Sequence, residues 1–191
     1  ASARAESNYG GSVSATAEQI GGGGPSGGTF SSPGSENGGG SGADSVMINQ
    51  ASGFSVNGTV SLTQKAKGGQ GGGSSDGSGG TAGNATSTIN AWSSHGESSF
   101  SASTEATGGA GANARTGSTN GARGTASSTL QADPATNSET NLSSSATATG
   151  GLGGMAGSSN DLSRPYSLSA SDGGFADANA FTHAINGSAS S

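Results

Sequence analysis

The chain has 191 residues, of which 39 are glycine, and only 9% are charged, with a formal net charge of −6. The six cationic side chains are scattered along the sequence, which argues against nucleic-acid binding. No run of about 18 apolar residues is present, so we expect no membrane insertion. The absence of cysteine excludes disulfides and thiolate chemistry.

Two kinds of strand-like stretch recur along the chain, and each kind carries one apolar column. The first column has a spacing of 41 between its first three members: Ile48, Ile89 and Leu130, with a further member at Leu168. The second column stands eight positions before a Gly-Gly pair: Val13, Val60, Phe100 and Leu142, with a degraded copy at Phe181. Apolar positions that recur at such a period are typical of stacked repeat proteins.

Side chains alternate within these stretches as they do in a β-strand. In the stretch that begins at Phe100, the residues Phe100, Ala102, Thr104 and Ala106 occupy one face, and polar residues lie between them. Such alternation places one set of side chains on a buried face and the other set in solvent. Helix is not expected, because glycine, serine, threonine and asparagine are poor helix formers.

Glycine-rich arms separate successive pairs of stretches. They include GGQGGGSSDGSGG, GGAGANARTGS and GGLGGMAGSS. Glycine lets two backbones approach closely, so the arms are predicted to form either thin strands or polyproline II-like runs that stack on their neighbours. The alternative is a flexible linker.

These features predict one all-β repeat domain over residues 1–191, with about 41 residues in each repeat. The expected architecture is a β-solenoid or a stacked β-hairpin array with glycine-rich arms. Residues 1–43 form an atypical first repeat with a long arm, and 166–191 form a partial terminal repeat. Full repeats are expected at 44–83, 84–124 and 125–165.

Few residues suggest catalysis or metal binding. The two histidines, His95 and His183, lie far apart in sequence and match no catalytic motif, so we expect no catalytic residues and no enzyme. No cofactor is expected. Calcium is the metal most typical of extracellular repeat proteins, and Asp76 within GGSSDGSGG is the best single candidate ligand.

The segments SATATGGLGG, STEATGGAGANA and SASDGGFADANAF resemble the Ala/Thr/Ser/Gly-rich repeats of exported bacterial surface and matrix proteins. The resemblance is one of style, covers most of the chain and involves no specific motif. A start at Ala1, in place of Met, fits either a mature end left after export or an excerpt of a larger chain. We therefore expect an extracellular or cell-surface location.

Three functions remain open from the sequence. The first is the subunit of an extracellular homopolymeric fibre or matrix, whose partner is a second copy of the chain, joined head to tail through unpaired strands. The second is a cell-surface adhesin whose exposed Ser/Thr/Asn face binds a glycan or another surface ligand. The third is a disordered surface linker.

Overall fold

The computed structural model describes residues 1–27, 38–74, 77–93, 96–114, 124–132, 141–155, 172–183 and 189–191. Within these ranges the chain is all-β, with eleven strands and no helix. In chain order the strands are β1 (Ala3–Ser7), β2 (Ser12–Ile20), β3 (Ser45–Ile48), β4 (Ala51–Ser55), β5 (Thr59–Lys67), β6 (Ala85–Ser93), β7 (Ser99–Thr107), β8 (Gly124–Ala132), β9 (Asn141–Thr149), β10 (Ala176–His183) and β11 (Ala189–Ser190).

The strands form three sheets, and every described strand pairing is parallel. Strands β1 and β4 make a two-stranded sheet. A four-stranded sheet has the order β10-β8-β6-β3, and a five-stranded sheet has the order β11-β9-β7-β5-β2. From β5 onward the chain alternates between the two larger sheets. The strand pairs β3 and β5, β6 and β7, β8 and β9, and β10 and β11 therefore form four successive layers.

The predicted fold class, a β-solenoid or stacked β-hairpin array with about 41 residues in each repeat, was wrong. Hairpins pair antiparallel strands, whereas all described pairs here are parallel. The distance in sequence between partner residues also varies: it is 39 between Ala85 and Gly124 but 52 between Gly124 and Ala176. What the structure supports is an all-β chain built from parallel sheets.

The five-stranded sheet buries one face, as the alternation predicts. In β7 the residues Phe100, Ala102, Thr104 and Ala106 are buried, and the residues between them are half-buried. Among the side chains that the structure describes, Phe100 is the largest that is fully buried, and it is 1% exposed. Because most inward residues are alanine, serine or threonine, the facing sheets lie close enough for side chains of one sheet to bond the backbone of the other. The Ser45 hydroxyl on β3 donates to the Gln19 carbonyl on β2, at 3.0 Å.

Gln64 on β5 is the main polar connection between the two larger sheets. Its side chain is fully buried, and Nε2 donates to the carbonyl oxygens of Met47 (2.9 Å) and Thr88 (3.1 Å) and to the Ser87 hydroxyl (3.2 Å). Its Oε1 accepts from the backbone N–H of Gln50, at 2.7 Å. One side chain thus satisfies backbone groups of β6 and of the end of β3, in keeping with the rule that buried polar groups are hydrogen-bonded.

The glycine-rich segments leave the sheets as outgoing arms and come back as returning arms. The described outgoing arms are 21–27, 68–74, 108–114 and 150–155, and the described parts of the returning arms are 38–44, 77–84 and 172–175. The N–H groups of Gly21, Gly24 and Gly27 donate to the carbonyls of Lys67, Gln70 and Gly73, each at 2.8 Å. A bond at every third residue matches the three residues per turn of polyproline II, so the arms are of the polyproline II type.

Close backbone packing explains why so many arm positions are glycine. A Cβ placed on Gly39 would fall on the carbonyl oxygen of Gly72, and one on Gly80 would fall on that of Gly40. Outgoing and returning arms are also cross-linked: Gly40 N–H donates to the Pro25 carbonyl, and Gly72 N–H donates to the Gly40 carbonyl, both at 2.8 Å. The arms therefore form a hydrogen-bonded bundle beside the sheets.

Candidate functional site

The structure brings together one of the two predicted apolar columns. Val13, Val60, Phe100 and Leu142 are successive partners across the five-stranded sheet. The prediction of Phe181 as the fifth member was wrong, because Phe181 lies on β10 of the four-stranded sheet, opposite Thr129. Ala189 takes the place beside Leu142 instead.

The other column, Ile48 with Ile89 and Leu130, is not aligned as predicted. Ile48 pairs with Thr88, one residue short of Ile89, so the two isoleucines point to opposite faces. Ile48 is 53% exposed whereas Ile89 is 1% exposed. Leu130 pairs with Ala91, two residues beyond Ile89, and its side chain is not among those described. The fourth member, Leu168, lies outside the described residues.

The two ends of the larger sheets are staggered in opposite ways. At one end β2 extends the five-stranded sheet one layer beyond β3, and no described strand of the four-stranded sheet lies in that layer. At the other end β10 extends the four-stranded sheet by eight residues, while β11 covers only Leu142 and Ser143 of β9. Strand β1 lies beside β4 at the first end, but no described strand lies beside the outer edge of β3. The outer edges of β3 and β10 therefore both lack a described partner strand.

The unpaired edge of β2 carries free backbone groups. Gly21 N–H donates to Lys67 on the β5 side, and backbone groups alternate in direction along a strand. Ile20, Glu18 and Thr16 consequently point their N–H and C=O groups away from β5. An edge of this kind is a template for another parallel strand.

The opposite edge, on β9, is complementary. Thr149 accepts from Gly108 N–H on the β7 side, at 2.9 Å. By the same alternation, Ser144, Ala146 and Ala148 point their backbone groups away from β7. The pairing with β11 ends at Ser143 and Ser190, so Ala146 and Ala148 have no described strand beside them. The existing pairing also sets the register of a strand added beside β9. The residue equivalent to Val13 in that strand would pair with Leu142, as Val13 pairs with Val60.

Exposed apolar side chains accompany both ends of the four-stranded sheet. Val46 and Ile48 on β3 are 55% and 53% exposed. At the far edge, Phe181 on β10 is 51% exposed, and Phe175 just before β10 is more exposed still. Large apolar residues are scarce in this chain, yet several are exposed on or next to β3 and β10, the two edge strands of this sheet. Exposed apolar patches of this kind are typical of surfaces that bind another molecule.

The outer face of the five-stranded sheet carries rows of hydroxyl groups in register. One row contains only serine: Ser14, Ser61, Ser101, Ser143 and Ser190. The next row consists of Thr16, Thr63, Ser103 and Ser145. Neighbouring hydroxyls bond along the rows, with Ser145 Oγ donating to Ser103 Oγ at 3.1 Å.

One column of this outer face is charged. Glu18, Lys65 and Glu105 are register partners, and Lys65 Nζ lies 3.0 Å from Glu105 Oε2. The hydrogen bond and charge of Glu105 raise the pKa of Lys65, and the charge of Glu18 adds to the effect. The column thus places two carboxylates and one ammonium group on an otherwise hydroxyl-rich face.

The candidate catalytic and metal residues are not brought together in the described part of the chain. Asp76 and His95 lie outside the described residues, and His183 is exposed at the end of β10. Among the residues that are described, no group of three or more His, Asp or Glu side chains is placed to hold a metal ion.

No family model, curated protein or solved structure matches the chain. Over the described ranges, no helix is long and apolar enough to cross a membrane.

Sequence reasoning missed Gln64 and the hydroxyl rows. Gln64 sits in an inward position that the alternation assigns to the core, but its polarity gives no hint of its partners. The hydroxyl rows depend on register between strands at least 40 residues apart, as between Ser61 and Ser101. The Gly-Gly pairs were a usable signal, since each of them marks the start of an outgoing arm.

Proposed function

We propose that the protein is a structural subunit that assembles head to tail into a homopolymeric fibre or matrix. The observation that carries the proposal is the complementary stagger of the two ends. Strand β2 of one copy pairs in parallel with β9 of the preceding copy, and β3 lies beside β10 of that copy. Contacts of this heterologous kind, which do not close into a ring, produce open filaments.

In this arrangement the existing register is continued across the joint. Thr16 N–H donates to the Ser144 carbonyl of the preceding copy, and Ala146 N–H of that copy donates to the Thr16 carbonyl. Val13 and Ser14 take the places that Ala189 and Ser190 hold in the single chain. Nine residues of β2 then replace the two residues of β11, so the exchange adds backbone bonds.

An extracellular or cell-surface setting belongs to the same proposal. The chain has no cysteine and only six lysines and arginines. It therefore offers few sites to trypsin-like proteases and needs no particular redox environment, which suits a polymer exposed outside the cell.

Blocking the free edge of β2 tests the proposal. We expect the wild-type protein to form filaments at neutral pH, and Thr16→Pro to abolish them, because proline removes the donor that faces the preceding copy. The single chain tolerates this change, since proline is accepted on an edge strand where the N–H faces solvent. Electron microscopy and sedimentation measure filament mass, and circular dichroism verifies that the monomer is folded.

Two controls accompany this experiment. Thr16→Ala keeps the N–H and is expected to assemble like the wild type. Removal of residues 189–191 uncovers β9 fully and is expected to lower the concentration at which filaments appear. The proposal fails if the wild type stays monomeric at high concentration, or if Thr16→Pro assembles as well as Thr16→Ala.

The hydroxyl rows favour a second candidate, a binding face for an insoluble glycan. Regularly spaced hydroxyls can donate to and accept from the hydroxyls of a polysaccharide surface. In a depletion assay with cellulose and chitin, the wild type should bind saturably, and Ser61→Glu combined with Ser103→Glu should not. Equal binding by both proteins, or none by either, argues against this candidate.

A further inference from the structure

We infer that the glycine arm of a neighbouring copy packs against Gly22 and leaves no room for a side chain at this position. The inference rests on the head-to-tail assembly proposed above and adds a second contact to it, between outgoing arms. The occupant of this surface is arm 150–155 of the preceding copy. Gly22 differs in its surroundings from its three equivalents in the other outgoing arms.

The hydrogen bonds between arms identify these equivalent positions. Gly21 N–H donates to the Lys67 carbonyl, Gly68 N–H to that of Thr107, and Gly108 N–H to that of Thr149. The residues that follow, one in each arm, are therefore equivalent: Gly22, Gly69, Gly109 and Gly151.

Three of these four glycines are required by packing inside the chain. A Cβ on Gly69 would fall on the Gly22 carbonyl oxygen. In the same way, a Cβ on Gly109 would fall on the oxygen of Gly69, and one on Gly151 on the oxygen of Gly109. Each arm thus fills the space beside the glycine of the next arm.

Position 22 is also glycine, but packing inside the chain does not require it. A Cβ placed there meets no atom within 4 Å, and its φ lies outside the left-handed region. Nothing in the described part of the single chain therefore requires glycine at this position. Continuing the arm pattern places the Gly151 carbonyl oxygen of the preceding copy in that open space.

Free hydrogen-bonding groups at the two ends of the arm bundle match in direction and spacing. The N–H groups of Gly150 and Gly153 have no acceptor among the described residues, and they are equivalent to Gly108 and Gly111, which do donate. In the docked pair they donate to the Ile20 and Gly23 carbonyls of the next copy. The contact covers only the first half of the arm. The equivalent of Pro25 in the next arm is Gly72, but Pro25 carries a ring that prevents an equally close approach.

A pair of neighbouring Gly→Ala substitutions tests the inference. Gly22→Ala places a methyl group against the neighbouring arm only after assembly, so the monomer should fold normally. Because overpacking opposes docking, we expect the critical concentration for filaments to rise at least about tenfold. Gly23→Ala is the matched control: its equivalents are Gln70, Ala110 and Leu152, which carry side chains, so its critical concentration should stay within about twofold of wild type.

A covalent test follows from the same geometry. The chain has no cysteine, and positions 23 and 152 lie at opposite ends of the arm bundle in one copy but side by side across the joint. Under oxidation, the double variant Gly23→Cys and Leu152→Cys should give a ladder of linked oligomers, whereas either single variant gives dimers at most.

The outcomes separate this inference from the proposed function. If the wild type forms no filaments, the proposed function fails. If the wild type forms filaments but Gly22→Ala assembles like Gly23→Ala, or if no ladder appears, the proposed function stands and the arm contact is wrong. Loss of assembly by Gly22→Ala with an unchanged melting temperature of the monomer, together with the ladder, supports the inference.

Discussion

Replacing Phe100 by alanine is expected to lower the free energy of unfolding by about 3–5 kcal/mol, the usual cost of removing a fully buried phenylalanine. Phe100 lies between Val60 and Leu142 in the middle of the five-stranded sheet. Its neighbours are fixed by backbone ladders on both sides, so the sheet has little freedom to close the cavity. Chemical denaturation monitored by near-ultraviolet fluorescence or circular dichroism gives the value.

Phe181→Ala is the control for this prediction. Phe181 was expected to continue the same column, but it is half exposed on the other sheet, and surface substitutions usually change stability by less than about 0.5 kcal/mol. Similar losses for the two variants would mean that the alignment of the strands is wrong. Phe100→Asp should prevent both folding and assembly, and normal filaments from that variant would contradict the register.

Replacing Gln64 by leucine is the second change with a large expected effect. Leucine is similar in size and makes the position apolar, but it removes the hydrogen bonds of the buried amide to β3, β6 and the turn after β3. An unsatisfied buried backbone group costs about 1–3 kcal/mol, so we expect a loss of at least about 2–4 kcal/mol. The loss is measured by urea denaturation of the monomer.

Gln70→Leu provides the matched control for Gln64→Leu. Gln70 lies exposed on an outgoing arm, so the same substitution there should leave the unfolding midpoint unchanged. If Gln64→Leu unfolds at the same denaturant concentration as Gln70→Leu, the polar connection between the sheets does not contribute to stability.

Local features of the fold could be predicted from the sequence, because they depend on the nearest residues. The alternation in β7 and the position of Phe100 between Val60 and Leu142 follow from a period of two and a shared spacing to the Gly-Gly pair. The wrong prediction at Ile48 shows that spacing alone does not determine which face of the sheet a residue occupies. A shift of one residue in β3 turns Ile48 from the buried face to the exposed face.

The parts that were not predictable depend on partners distant in sequence. A repeat of about 41 residues assigns Phe181 to the wrong sheet, since the offset between β8 and β10 is larger than that between β6 and β8. The conformation of the arms was open for a similar reason. Glycine adopts strand and polyproline II geometry with equal ease, and only the neighbouring arms decide between them.

The glycine arms also affect how folding of this protein must be measured. Polyproline II has no internal hydrogen bonds and is a major conformer of unfolded chains, so in far-ultraviolet circular dichroism the arms resemble disorder even when they are fully packed. Their amide protons are nevertheless held by neighbouring arms, as at Gly21, Gly24 and Gly27. Slow deuterium exchange at these glycines is therefore the property that separates an ordered arm from a linker.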